Sequence, residues 1–377
     1  MRIESKCVHS GSYRDDATGG INTPIFTSSA YNYLDREETI YPRYFNTPNQ
    51  RAVVSKLCTL EGGDDGVLFG SGMAAMSTAI LAFAGTGEHV VLMDELYGGT
   101  HAFVTDTFDR LGIAYSFAAT DAAAVVDAIN ARTRVIVIES PTNPLLGVID
   151  IRAVAEAARA QGVVTIIDNT FASPINQTPL DLGIDIVVHS GTKYLAGHSD
   201  LCCGVAVSSR ENAARILHLA RHLGGSLNAT DSYLLERSLK TLALRVERQT
   251  RNAQQLAEHL ERHPKISRVF YPGLASFAGH ELARRQMNLF GAMLSFEPGG
   301  TPHAAERFVR SLRLINPAVS LGGVETTIRA WDVLAGAQMS PAERARIGVR
   351  DSLLRLSVGI EHVDDLVADL DQALGEI

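Results

Sequence analysis

The chain reads as an α/β protein with a large, mostly parallel sheet and a smaller C-terminal α+β domain. Three observations predict this. Between Gly66 and Val207, short apolar runs alternate with helical stretches, the pattern of a parallel sheet covered by helices. From Asp231 to about His263, leucines recur among Arg, Glu and Gln as one long helical stretch broken once, and Pro264 closes it. Beyond it lie two strand patterns and two helical patterns. At 377 residues the chain is long enough for two domains with filled cores. The expected division is an N-terminal arm over 1–50, the α/β domain over 51–240, and the connecting helix with the α+β domain over 241–377.

Residues 1–50 show little periodicity but many aromatics, among them Tyr31, Tyr33, Tyr41, Tyr44 and Phe45. Such a segment cannot build its own core and is expected to lie on the body of the protein or on a partner subunit. Arg51 to Leu60 has helical spacing, with Val53, Val54, Leu57 and Leu60 on one side. Gly66 to Phe69 is a short strand, and Gly70-Ser71-Gly72-Met73 turns directly into an apolar helix from Ala74. Free N–H groups at such a helix start can hold a phosphate. The pattern matches neither the dinucleotide nor the Walker fingerprint, and a tight turn alone would also explain it.

Strands are expected at His89–Asp94, Ile113–Phe117, Arg134–Glu139, Val163–Asp168, Ile184–Val188 and Gly204–Val207, with helices at 101–111, 121–130 and Ile151–Gln161. Tyr97 follows the first of these strands, where its ring could stack on a flat ligand or simply pack. Asn143 sits between Pro141 and Pro144, on a backbone those prolines restrict. In the C-terminal part, strands are expected at Leu289–Phe296 and Leu353–Val358, and helices at Ala304–Leu314 and Val363–Leu374. Arg355 alternates with Leu354 and Leu356, so it faces away from them, toward the cleft. Ser320-Leu321-Gly322-Gly323 is a loop that would line the same cleft.

Bulk numbers exclude several classes. Lys plus Arg is 34 against 42 acidic residues, a net charge of −8 with no basic block, so no nucleic-acid footprint is expected. Four cysteines in this length make no disulfide framework, and no spaced Cys/His cluster suggests a metal. Met1 to Lys6 lacks the apolar run of a secretion signal, and no stretch approaches the roughly 20 apolar residues of a membrane span. A reducing, cytoplasmic compartment is expected.

The chemistry is concentrated in His189-Ser190-Gly191-Thr192-Lys193-Tyr194, which follows one apolar strand, and in Asp168, which ends the strand before it. Ligands of open α/β sheets bind at the carboxyl ends of strands. A lysine there can form a Schiff base, and an aspartate can hold a protonated pyridine nitrogen. A buried ion pair, or an aspartate capping the next turn, is the alternative, but neither explains the phosphate-type groups nearby. Pyridoxal phosphate needs all four features present: a lysine (Lys193), an anion for the ring nitrogen (Asp168), a phosphate cradle (Gly72, Met73, Ser190, Thr192) and a stacking ring (Tyr97). Lys193 would then also serve as base and proton carrier, work that typically contributes about 10²–10⁴-fold.

With these residues in hand, the sequence resembles the Cys/Met-metabolism family of pyridoxal-phosphate enzymes over nearly its whole length. The resemblance rests on Gly72-Met73-Ala74-Ala75, Asp94 to Thr100, Glu139 to Pro144, Asp168-Asn169-Thr170-Phe171, Ser190 to Tyr194 with Gly197-His198-Ser199-Asp200, and Leu353 to Gly359. It implies an aspartate-aminotransferase-like fold (fold type I), with Lys193, Tyr97 and Asp168 as catalytic residues. It further implies that Tyr41 and Arg43 reach the phosphate of the neighbouring subunit, so the catalytic unit is a homodimer, commonly assembled into a homotetramer. Asn143, Ser320 and Arg355 match the groups around the substrate α-carboxylate, with Val319 beside them.

The sequence departs from the family pattern in places. Tyr41-Pro42-Arg43 is followed by Asn46-Thr47-Pro48 where Asn-Pro-Thr is usual. Gly191 replaces a small non-glycine residue, which would loosen that turn. Val319 stands where cystathionine γ-synthases and γ-lyases typically carry glutamate and looks more like methionine γ-lyase, yet Gly99 stands where methionine γ-lyases commonly have cysteine. The segment after Glu325 lacks the usual proline and Thr-His, with Trp331 nearby. The expected activity is γ-elimination from methionine, cystathionine or a relative, giving 2-oxobutanoate, ammonia and a thiol. The alternatives are γ-replacement on an O-acyl-homoserine and β-elimination from cystathionine or cysteine.

Overall fold

Strands buried on both faces have no polar side to show water, so continuous apolar runs pair side by side in the centre of a sheet. The computed structural model describes residues 1–299, 303–330 and 348–377. Among these residues the large sheet holds seven strands: β1 (Asp65–Phe69), β2 (His89–Met93), β3 (Ala114–Ala118), β4 (Thr133–Glu139), β5 (Val164–Asp168), β6 (Ile186–Ser190) and β7 (Gly204–Ser208). Their order is β1-β7-β6-β5-β4-β2-β3. β2 through β6 pair in parallel, while β7 is antiparallel to both β6 and β1. No crossover helix separates β6 from β7, so the chain can only return antiparallel. The sequence pattern ends the strand before Lys193 at Val188. The structure carries β6 on through His189 and Ser190, because β7 extends the ladder to pair them with Val205 and Gly204.

Helices cover this sheet. They are α1 (Ile3–His9), α2 (Pro48–Glu61), α3 (Gly72–Leu81), α4 (Gly98–Leu111), α5 (Ala122–Asp127), α6 (Ile151–Ala160), α7 (Ser173–Asn176), α8 (Arg210–Leu223), α9 (Ala229–Leu239) and α10 (Leu242–Arg262). α2 begins at Pro48, three residues earlier than the spacing suggests, because Thr47 and Gln50 form a reciprocal capping box. The single break in the long helical stretch falls at Lys240-Thr241, between α9 and α10. The first fifty residues are not uniformly irregular. α1 docks on α2 and α10, its Cys7 is buried, and the buried Lys56 ammonium donates to the Cys7 carbonyl at 3.0 Å. Farther along, Ile21, Tyr33 and Leu34 are 87%, 70% and 70% exposed, so this part of the arm buries little of its apolar surface within one chain.

The smaller sheet contains β8 (Ile266–Phe270), β9 (Met293–Pro298), β10 (Asn316–Pro317), β11 (Thr327–Ala330) and β12 (Leu354–Ser357), in the order β10-β11-β12-β9-β8. It carries α12 (Ala304–Ser311) and α13 (Val363–Gly375), with α11 (His280–Gln286) between β8 and β9. One apolar core lies between the large sheet and α3, α4, α5, α6 and α8. A second joins α2, α9 and α10 to the small sheet and includes Tyr194 and Leu195, directly after Lys193.

That second core also fixes the loop after Lys193. The buried Arg245 of α10 donates to the carbonyls of Tyr194 at 2.8 Å, Ser238 at 3.0 Å and Leu195 at 3.4 Å. Gly197 makes room for it: its φ is +72°, and a Cβ there would run into the Arg245 guanidinium. Both the left-handed backbone and the close approach require glycine. Gly197→Ala is therefore expected to destabilise the protein by at least about 1 kcal/mol from the backbone alone. The displaced guanidinium adds to that loss, which a thermal or denaturant unfolding curve would read.

Candidate active site

The carboxyl ends of β1, β2, β4, β5 and β6 border one cavity of about 490 Å³, a size suited to a small molecule. At the end of β1, Ser71 caps α3, its hydroxyl accepting the Ala74 N–H at 3.0 Å. The N–H groups of Gly72 and Met73 belong to the first helical turn and have no intrahelical acceptor. A Cβ on Gly72 would stand 2.7 Å from the Ser190 Cβ, so glycine alone lets this helix start abut the end of β6. The Ser190 N–H donates to the Thr170 hydroxyl at 2.8 Å, and the Cys203 N–H to the Thr192 hydroxyl at 3.0 Å. Ser71, Gly72, Met73, Thr170, Ser190 and Thr192 all line the cavity. This corner offers N–H groups and hydroxyls without a carboxylate, the donor set of a phosphate site.

Asp168 and Lys193 face the same cavity, Asp168 from the end of β5 and Lys193 from the turn after β6, its parallel neighbour. Asp168 Oδ1 accepts the Thr170 N–H at 3.0 Å. Burial raises the Asp168 pKa, and hydrogen bonds from Thr170 together with the charges of His189 and Lys193 work against that rise. A cationic ring nitrogen would give this carboxylate the partner that burial calls for. The Lys193 ammonium donates to the Ser320 hydroxyl at 2.6 Å. Burial first, and the charge of Arg355 second, lower its pKa. Behind these two strand ends lies a fully buried polar network. His189 Nε2 meets Glu61 Oε1 at 2.5 Å, and the Asn169 amide donates to Glu61 Oε1 at 3.1 Å and to the Gln177 carbonyl at 2.9 Å. It ties β5 and β6 to α2, which holds Asp168 and Lys193 in register.

The Tyr97 side chain is 40% exposed in the cavity lining, and its position is set from the backbone. The Tyr97 N–H donates to Glu139 Oε2 at 2.7 Å. Glu139 ends β4 beside Asp168, with which it is in register on β5. Burial, then the Asp168 charge, push the Glu139 pKa far up, opposed by the Tyr97 N–H and Arg355. A Cβ on Gly99 would strike the Tyr97 ring, so the glycine at this position is what permits the ring to lie where it does.

The small sheet closes the cavity. Arg355 of β12 is buried; its Nη1 donates to Asn143 Oδ1 at 2.6 Å and its Nη2 to the Ser320 carbonyl at 3.3 Å. Burial and the nearby Arg329 lower its pKa to about 10. Asn143, Ser320 and Arg355 thus meet as the sequence suggests, and Val319, 72% exposed, stands at the mouth. Gly322, with φ +79°, lets this loop pass over Lys193: a Cβ would lie 2.7 Å from the Tyr194 nitrogen.

Tyr41 and Arg43 do not line this chain's cavity. Arg43 Nη1 donates to the Arg221 carbonyl at 2.6 Å, and its guanidinium lies 5.3 Å from the Tyr44 ring centre. The turn after them is held by Asn46, whose Oδ1 accepts the Tyr41 N–H at 3.0 Å and whose amide donates to the Thr39 carbonyl at 2.9 Å. Gly191 does not loosen its turn: a Cβ there would stand 2.7 Å from the Cys203 sulfur, so the fit is tight. Trp331 lies outside the described residues. Glu139, Thr170 and Arg329 line the cavity although the sequence pattern assigns them no part. Glu139 closes an apolar strand in register with Asp168, a signal that could have found it. Among the described residues no group of three or more His, Cys, Asp or Glu side chains is placed to hold a metal ion.

The residues present fit pyridoxal 5'-phosphate: free N–H groups and hydroxyls at the start of α3 and the end of β6, and the buried Asp168 carboxylate and Lys193 amine lining the same cavity. A neutral amine is the nucleophile, and a lowered pKa makes Lys193 neutral at lower pH than a free lysine. Capture of the cofactor by apo-protein, trapped with borohydride, is therefore expected to accelerate with rising pH about a midpoint below the ordinary lysine value of 10.5. Arg355→Gln removes one of the two causes and should move that midpoint upward.

Comparison with known proteins points to the same cofactor. A family model described as Cys/Met metabolism PLP-dependent enzyme matches residues 4–375. The chain is 42% identical over 379 residues to cystathionine beta-lyase MetC of Bacillus subtilis (strain 168), covering 100% of this chain and 97% of that protein. It is 40% identical over 381 residues to the cystathionine gamma-lyase of the same strain, covering 100% of both. The crystal structure of cystathionine gamma-lyase from Lactobacillus plantarum complexed with L-serine superposes with a TM-score of 0.95 at 38% identity, covering 100% of this chain and 99% of that one. The chain belongs to the Cys/Met-metabolism family of pyridoxal-phosphate-dependent enzymes, and pyridoxal 5'-phosphate is its cofactor.

Proposed function

We propose that this enzyme is a carbon–sulfur lyase acting by γ-elimination on cystathionine or a related sulfur amino acid, giving 2-oxobutanoate, ammonia and a thiol. The observation that carries this reading is the setting of Lys193. Its nitrogen is hydrogen-bonded to a neutral hydroxyl, Ser320 Oγ at 2.6 Å, in a wall that also holds Arg355. A γ-elimination needs one base able to serve two neighbouring carbons in turn. An amine with a lowered pKa, held by a serine rather than locked to a carboxylate, suits that role.

When bound, the cofactor supplies the electron sink that acidifies hydrogens next to the reacting carbon. Arg355, steadied by Asn143, grips the substrate α-carboxylate with its planar fork. Lys193 would take the Cα proton, give it up, and then take one from Cβ. The Tyr97 hydroxyl, on a residue whose backbone Glu139 anchors, donates toward the departing sulfur. Asp168 would hold the ring nitrogen, and Gly72, Met73, Ser190 and Thr192 would hold the phosphate.

In the same reading the catalytic unit is a homodimer, itself paired into a homotetramer, with Tyr41 and Arg43 serving the neighbouring subunit. Two facts support this. Both residues stand clear of their own chain's cavity, and the arm that carries them exposes Ile21, Tyr33 and Leu34. A second reading, β-elimination, has its support in the 42% identity to a cystathionine beta-lyase.

A product screen tests the proposal. Purified holoenzyme is given cystathionine, methionine, cysteine and O-acyl-homoserines, with and without added thiol, and the keto acids and thiols are identified. Release of 2-oxobutanoate and cysteine from cystathionine is the expected result. Pyruvate and homocysteine would establish β-elimination instead, and turnover only of an acyl-homoserine with thiol would establish replacement. Lys193→Ala should lower turnover of whichever substrate is used by at least about 10²–10⁴-fold.

A further inference from the structure

Glu95 follows β2, whose neighbours in the sheet are β4 and β3, and it stands outside the cavity lining. It is half-buried, and each of its oxygens takes one hydroxyl. Thr120, beyond β3, donates to Oε1 at 3.1 Å, and Thr142, beyond β4, donates to Oε2 at 2.8 Å. The Thr142 hydroxyl accepts the Gly147 N–H at 2.8 Å, and the Thr142 N–H donates to the Gly147 carbonyl at 2.9 Å. A Cβ on Gly147 would stand 3.1 Å from Thr142 Oγ1 and 3.5 Å from Glu95 Oε2, so this junction is closely packed. The next residue is Asn143, whose Oδ1 meets Arg355 at 2.6 Å. On its other flank, the Pro144 carbonyl accepts the Ser295 hydroxyl at 2.7 Å, and Ser295 on β9 pairs with Arg355 on β12. Asn143 is thus pinned on one side to the sheet that carries Arg355. On the other side Glu95 ties it to β2.

We propose that Glu95 is a positioning residue for the substrate α-carboxylate: through Thr142 it sets Asn143, and Asn143 sets the angle of the Arg355 fork. Hydrogen bonds to a carboxylate are stronger than neutral ones, so this anchor holds its threonines firmly. A planar guanidinium pairs with a carboxylate only when the two forks align, so a tilt costs affinity without removing charge. Tyr97 lies two residues beyond Glu95 but has its own anchor in Glu139, so the loss of Glu95 falls on binding rather than on turnover. The inference rests on the reading of Arg355 as the α-carboxylate grip and is indifferent to which carbon–sulfur bond is broken.

The test uses holoenzymes of wild type, Glu95→Ala, Glu95→Gln, Asn143→Ala and the double variant Glu95→Ala/Asn143→Ala. Affinity for L-alanine and for ethylamine, which lacks the carboxylate, is read from the change in visible absorption of the bound cofactor. Steady-state kinetics with cystathionine separate kcat from KM. In Glu95→Ala the advantage of alanine over ethylamine should fall about tenfold, and KM should rise to match, while kcat changes less than about threefold. Glu95→Gln can accept from one threonine and donate to the other, and should recover most of the loss. Asn143→Ala should shrink the advantage by itself, and the double variant should shrink it no further, because contacts acting in series do not add. An alanine advantage unchanged in Glu95→Ala, or losses that simply add in the double variant, would overturn the proposal alone. An advantage unchanged in Asn143→Ala would overturn the α-carboxylate reading of Arg355 together with it. Thr142→Val breaks the same contact from the other side, so a folding failure of Glu95→Ala leaves the question decidable: the same loss is expected, and an intact advantage overturns the proposal.

Discussion

A guanidinium shared between two sheets sets the shape of the active site. Arg355 leaves the small sheet and ends on Asn143, which follows strand β4 of the large one, at 2.6 Å. An ion taken this far from water costs several kcal/mol unless its donors are met. The Asn143 amide oxygen and the Ser320 carbonyl meet them in part, and a substrate carboxylate would complete the set. The small domain cannot slide off the cavity without stripping the Asn143 contact, so the width of the cleft is held by a polar contact as well as by apolar packing. Ser320 takes part twice, offering its carbonyl to Arg355 and its hydroxyl to Lys193. The residue proposed to grip the substrate and the residue proposed to act on it are thereby held by one loop.

The electrostatics of the site divide by face. On the cavity side, Arg329, Arg355 and Lys193 gather near Glu139 and Asp168. Each of these five has its pKa displaced by burial toward the neutral form. Behind β5 and β6, His189, Glu61, Asn169 and Gln177 close on one another as a buried network. Two of its buried oxygens, Glu61 Oε2 and Gln177 Oε1, are left without a hydrogen-bond partner. The division makes functional sense: the groups under electrostatic strain are those a bound cofactor and substrate would neutralise, and the hydrogen-bonded groups are the frame behind them.

Much of this was legible in the chain. Apolar runs ending in Asp168 and before Lys193 mark adjacent strands, because only buried strands read as unbroken apolar segments. The glycine turn before Met73 marks a helix start aimed at a ligand. Legibility fails where an element meets solvent on one side or depends on a distant partner. α8 is amphipathic, capped by Ser209 and buried only through residues such as Ala213, Ile216 and Ala220, a weaker signal than a leucine run. β8 mixes the exposed Ser267 and Arg268 with the buried Phe270 and does not read as a strand. Arg329 is the instructive case. Alternation with Ile328 puts it on the opposite face of β11, but whether that face sees water or the cavity is decided by the large domain. The same holds for Arg355, whose alternation with Leu354 and Leu356 sets only its face, while its match to the α-carboxylate group comes from the family resemblance.

The contact between Gly191 and Cys203 has a consequence for how this protein can change over time. Because a methyl group at 191 would stand 2.7 Å from the sulfur of 203, the two positions share one parcel of space. Drift at either site is then conditional on the other: a bulkier neighbour for the active lysine becomes accessible only in lineages where the thiol has first shrunk. Any oxidised form of that thiol would also press directly on the turn that presents the amine.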